Sequence, residues 1–145
     1  MRRFAICTAV LVMTMAGAVG YAQATKVTNL DEYRKAMLAV AGGFGGANKA
    51  LASGAVADAK TGVANAKANM EAIHAFFVEK KKDDLAMLAK ATVDKLAAVE
   101  TALNGDPATA GPAVKEVGGT CQACHAKYRD QDPATKAYSF KPGTI

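Results

Sequence analysis

The chain is poor in the side chains from which metal cages are built, with two histidines and three cysteines in 145 residues. A structural zinc site takes four N or S ligands, usually as two spaced pairs. After Cys121, Cys124 and His125 only His74 remains, and no second C-x-x-C or H-x-x-x-H pair completes a cage. Sustained alternation of apolar and polar residues is also missing, which leaves no βαβ pattern for a thioredoxin-like dithiol. The formal net charge of +5 falls by two if Arg2 and Arg3 leave with a leader, too small an excess to point to nucleic acid. Beyond the amino-terminal stretch no apolar run approaches the roughly 20 residues needed to span a membrane.

What is present begins with that stretch. Met1-Arg2-Arg3 is basic, Phe4 to Val19 carries no charge, and Ala22-Gln23-Ala24 is an A-x-A cleavage pattern. Together these predict a secretory signal peptide over residues 1–24, removed with Cys7 inside it. The mature chain, about 120 residues, is one domain in size, and Cys121 and Cys124 are its only thiols. Export from a prokaryotic cell places it in the periplasm, an oxidising compartment.

Cys121-Gln122-Ala123-Cys124-His125 is a C-x-x-C-H sequence, the attachment pattern of c-type haem. Thiols one helical turn apart can each add to a vinyl group of the same porphyrin, and the adjacent imidazole reaches the iron from one face. The expected cofactor is one covalent haem c (iron) per chain, with His125 as proximal ligand.

Helical periodicity occupies four segments. The first, from about Asn29 to Leu51, carries Leu30, Tyr33, Met37, Val40, Phe44 and Leu51 on one stripe, with Thr28 and Asp31 as its capping pair. Ser53-Gly54 ends it, and the second, Val56 to Glu79, buries Val56, Val63, Met70, Ile73 and Phe77, with Lys80-Lys81-Lys82 at its carboxyl end. Asp83 caps the third, whose face is Leu85, Leu88, Thr92, Leu96, Val99 and Leu103, and Asn104-Gly105 stops it. Asp106-Pro107 opens the fourth, which carries Val114, Val117, Cys121, Cys124 and Tyr128.

Short connections make sequential helices antiparallel, so the expected fold is all-α, an up-down-up-down four-helix bundle over residues 25–130. A tail over residues 131–145 either straps along it through Tyr138 and Phe140 or stays free. With a rise of about 1.5 Å per residue, Met37, His74, Leu88 and His125 fall at one level. Gly42-Gly43-Phe44-Gly45-Gly46 interrupts the first helix at about 1 kcal/mol per glycine. It predicts either a kink or a flat face that a helix or the macrocycle approaches closely.

The run from Val117 to Arg129 around the motif, together with Tyr33-Arg34 in the first helix, resembles the class II cytochromes c, the family of cytochrome c′ and the low-spin cytochrome c-556 type. The resemblance implies haem c on Cys121 and Cys124, His125 as proximal ligand, Arg129 packing near it and Arg34 close to the propionates. Low-spin members close the sixth position with a methionine of the first helix, whereas cytochrome c′ leaves it open behind an apolar residue. Here the apolar stripe puts Met37 inward, a count of four residues on from Arg34 lands on Leu38, and His74 is a further candidate. The expected function is a periplasmic one-electron carrier, not an enzyme, with His125 and Met37 on the iron. It exchanges electrons with periplasmic redox proteins as a monomer or homodimer. The alternative is a five-coordinate protein that binds nitric oxide or carbon monoxide, with Leu38 over an open distal site. A haem peroxidase needs distal acid–base groups, and only His74 is available.

Overall fold

The structure is a computed structural model and describes residues 26–145; the leader, its cleavage site and Cys7 lie outside them. Its helices are α1 (Leu30–Ala52), α2 (Val56–Glu79), α3 (Asp83–Asn104) and α4 (Ala110–Tyr128), the last entered through a 3-10 turn at Pro107–Thr109. α1 packs on α2, α2 on α3 and α3 on α4, so the fold is the all-α four-helix bundle that the periodicity predicts. Among the described residues α1 has extended contact with α2 alone. Among the described residues no helix is long and apolar enough to cross a membrane.

Most of the core comes from the last three helices. Phe76 and Ile73 of α2, Leu85, Leu96, Val99 and Leu103 of α3 and Val117 of α4 are almost wholly buried. α1 contributes the smaller Ala36, Val40 and Ala47, with Tyr33, Met37, Phe44 and Leu51 packed at the edge of the core. Leu30, expected on the buried stripe, is 42% exposed. It stands a turn outside Tyr33, whose ring already meets Phe76 and Phe77 near the last turn of α2, and no helix extends past it.

Two caps differ from expectation. Asn29, not Thr28, caps α1: its Oδ1 accepts from the N–H groups of Asp31 and Glu32, each at 3.0 Å. Thr28 instead donates its N–H and its hydroxyl to the Glu32 carboxylate, each at 2.7 Å. Asp83 is already the first residue of α3 and caps nothing, although Asp83 and Asp84 still suit the positive end of that helix. Asp106 does cap, accepting from the Ala108 N–H at 3.0 Å.

The glycine run in α1 produces no break in the helix. A Cβ at Gly43 would stand 2.8 Å from the Gly62 carbonyl oxygen of α2, whereas Gly42, Gly45 and Gly46 face open space. Close approach of a helix therefore accounts for one glycine of the four.

After α4 the chain forms a hairpin in which β1 (Arg129–Gln131) pairs antiparallel with β2 (Tyr138–Phe140). The Phe140 ring packs on Tyr33 at 4.9 Å and on Phe77 at 6.2 Å between centroids. Lys141 donates its N–H to the Tyr128 carbonyl and its Nζ to the Ala126 carbonyl, both at 2.9 Å, which satisfies acceptors that the last turn of a helix leaves open. The tail thus straps the bundle through Phe140. Tyr138, the other expected anchor, is half-exposed beneath the Arg129 guanidinium, 4.1 Å from its ring centroid.

Candidate haem site

Cys121 and Cys124 are free, partly buried thiols one turn apart on α4. With His125 they form one wall of a narrow apolar cavity of about 30 Å³, completed by Met37 from α1, Met70, Ile73 and Phe77 from α2, and Leu88, Ala89 and Thr92 from α3. Three of the residues expected at one level, Met37, Leu88 and His125, share this cavity. His74 does not line it; its neighbour Ile73 does. Leu38 is 73% exposed and stands off the cavity.

Met70 is the residue that sequence reading treats as plain core although it shares the cavity with Met37. Its signal is its height: by helical rise it stands about 13 Å from the end of α2, within a turn of the height of Met37, about 10 Å from the start of α1. Arg34 pairs with Asp31 at 3.1 Å on the exposed side of α1. Arg129, at the end of α4, donates its N–H to the His125 carbonyl.

α4 is fixed to α3 on both sides of the motif. Thr92 Oγ1 lies 3.0 Å from both the Leu88 carbonyl and Thr120 Oγ1, and the Thr120 hydroxyl donates to the Val117 carbonyl at 2.9 Å. The one polar side chain of α3 that faces the cavity is thereby satisfied, as a buried hydroxyl requires. Past His125, the Asp84 carboxylate accepts from Lys127 at 3.1 Å and from the Tyr128 hydroxyl at 3.2 Å.

Burial sets the protonation of the site. It raises both thiols above their ordinary range, Cys124 further through the neighbouring Cys121 and against the pull of Arg129. Burial first, and the Arg129 charge second, hold His125 below the usual imidazole range. The imidazole is then neutral at pH 7, the form whose lone pair binds a metal.

An outer groove of about 500 Å³ runs between α4 and the hairpin, lined by Gly118, Cys121, Gln122, His125, Arg129 and Tyr138 among others. Cys124 is not on it, so the inner cavity is the one that presents all three side chains of the motif. Two thiols for the covalent tether and a neutral imidazole for the iron fit a haem c, and the thioethers of Met37 and Met70 share the same apolar cavity. Among the described residues no three His, Cys, Asp or Glu side chains gather as an alternative metal cage. A cavity of this volume has room for about one or two waters, so it is the chemistry of its lining, not its volume, that fits a haem c. Among the described residues α1 and α4 have no extended packing across it.

No curated protein and no solved structure matches the chain. A family model described as Cytochrome C' matches residues 29–129, from the cap of α1 to the residue after α4. That match takes in every helix of the bundle and the whole attachment motif, and the chain belongs to the cytochrome c′ family.

Proposed function

We propose that the protein is a periplasmic one-electron carrier in which Cys121 and Cys124 hold haem c, His125 is the proximal ligand and Met37 the sixth. Family membership implies a covalently bound haem c and a role in electron carriage or ligand binding, generally without enzymatic activity. One observation favours the carrier. Of two adjacent residues, Met37 shares the cavity with His125 whereas Leu38 is 73% exposed. Bringing Leu38 to the place of Met37 would turn α1 by about 100°, and with it Ala36 and Val40 out of the core.

When bound, the group supplies an Fe(III)/Fe(II) couple, which His/Met ligation moves to higher potential. The chain's part is to offer a neutral imidazole from α4 and a soft thioether from α1. The apolar side chains of Ile73, Phe77 and Leu88 line the same space. Lys80, Lys81 and Lys82 lie in the turn between α2 and α3, at the end of the bundle where α4 finishes. They favour redox partners with an acidic docking surface. The leader expected over residues 1–24 supports export to the periplasm.

The test is the absorption spectrum of the purified holoprotein, ferric and ferrous, with and without carbon monoxide, and, on a separate sample, extraction with acidified acetone. A pigment that stays with the polypeptide, low-spin and unmoved by the gas, is the expected result. A high-spin spectrum that the gas shifts would put the gas-binding alternative first. Free haem in the organic layer would end the thioether assignment.

A further inference from the structure

Among the described residues α1 has one extended neighbour, α2, and the side chains that it buries, Ala36, Val40 and Ala47, are small. The spacing of the two helices is therefore set by backbone rather than by side chains that can swing aside. Their crossing lies at Gly43 and Gly62. A Cβ at Gly43 would meet the Gly62 carbonyl oxygen at 2.8 Å and the Ala66 nitrogen at 3.1 Å; a Cβ at Gly62 would meet the Gly43 carbonyl oxygen at 2.6 Å. These are backbone atoms inside unbroken helices, and an alanine at either position has to push α1 off α2.

Gly43 is six residues from Met37, about 9 Å along the helix, and α1 is continuous across both. Tyr33, one turn before Met37, is held by Phe76, Phe77 and Phe140. A displacement at the crossing thus tilts the stretch of α1 between the two points, and that stretch carries Met37; among the described residues it meets no extended packing toward α4. The reach of the Met37 thioether into the cavity therefore moves with the crossing. We propose that the Gly43–Gly62 crossing is a positioning contact: the bare backbone at both places sets how far the Met37 thioether reaches into the cavity, and so how firmly the sixth position is closed. This rests on Met37 being the sixth ligand.

The experiment compares Gly43→Ala and Gly62→Ala holoproteins with Gly45→Ala and Gly46→Ala, whose Cβ atoms enter open space on the same helix. Spin state, carbon monoxide affinity and thermal midpoint are read for each. Apparent affinity scales with the fraction of molecules in which the site is open. Gly43→Ala and Gly62→Ala should therefore raise the high-spin fraction and tighten carbon monoxide binding by about tenfold or more. The two controls should keep the wild-type spectrum and gain thermal stability, as glycine-to-alanine changes in a helix do. Ala47→Ser enlarges the side chain nearest Gly62 and applies a smaller push, which carries the test if an alanine variant fails to mature. Variants at the crossing that melt earlier yet keep the wild-type spin state and gas affinity would reduce it to packing. Met37→Ala separates the two readings: if it leaves the spectrum unchanged, the ligand assignment fails and this inference with it. If it opens the site and the crossing variants do not, only the positioning role is lost.

Discussion

The ring of Phe140 lies 4.9 Å from that of Tyr33, so a strand near the end of the chain rests on the first turn of the first helix. Phe76 and Phe77 complete the cluster, and Phe77 is also a wall of the cavity. Burial, with the nearby Cys124 as a second cause, pushes the Tyr33 hydroxyl well above the usual phenol range. The hairpin therefore closes the haem end of the bundle over the side chains that line it.

Phe140→Ala should weaken that closure. Phe140 is partly exposed, so the loss should be about 1–2 kcal/mol rather than the roughly 3–5 of a fully buried phenylalanine. Urea unfolding of the wild type and the variant measures it. A midpoint that does not move would mean that the hairpin lies on the bundle without holding it.

Asp84 gives the acid limb of stability a specific residue. Hydrogen bonds from Lys127 and then Tyr128 hold its carboxyl below the ordinary value. A group whose folded pKa is depressed stabilises above its unfolded value, and that contribution disappears as pH falls through the folded value. Asp84→Asn should accordingly melt earlier than wild type at neutral pH, and the gap should close below about pH 4. Melting curves across that range check it; a gap of constant size would show that the carboxylate charge is not what holds α4 to α3.

Thr92→Val should cost little despite a burial of 3% exposed. The Thr120 hydroxyl still donates to Val117, so no buried donor is orphaned, and the loss is that of one hydrogen bond, about 1 kcal/mol. Thermal melts would show it, and a loss several times larger would mean that the threonine pair organises the cavity wall.

The bounds of α2, Val56 to Glu79, can be read directly from the sequence, because apolar steps, Ser53-Gly54 and the lysine run mark both ends. The attachment motif is legible because its three reactive side chains lie within five residues. Gly62 carries no such sign; it matters only once α1 lies across it. The choice between Thr28 and Asn29 as cap is also closed to sequence, since both are competent cap residues and backbone geometry decides. The hairpin is hidden because its strands are three residues each and almost wholly exposed, so no alternation marks them.

Met37, Leu38 and Met70 form the decisive series for the sixth position. Met37 and Met70 both reach the cavity of His125, whereas Leu38 is 73% exposed. Met37 enters from α1, which among the described residues has no extended packing against α4, whereas Met70 sits in the packed interior of α2 at 5% exposed. Met37→Ala should therefore convert a low-spin, gas-indifferent protein into a high-spin one that binds carbon monoxide, with a lower potential. Leu38→Ala should leave spectrum and potential as they are and change stability by no more than about 0.5 kcal/mol, the usual range for a surface substitution. Met70→Ala should cost about 2–5 kcal/mol as a core truncation with the low-spin spectrum intact. Spectra, gas titration and unfolding of the three variants decide the matter together. Loss of the low-spin state in Met70→Ala rather than Met37→Ala would move the ligand to α2, and a high-spin wild type would leave both methionines as packing.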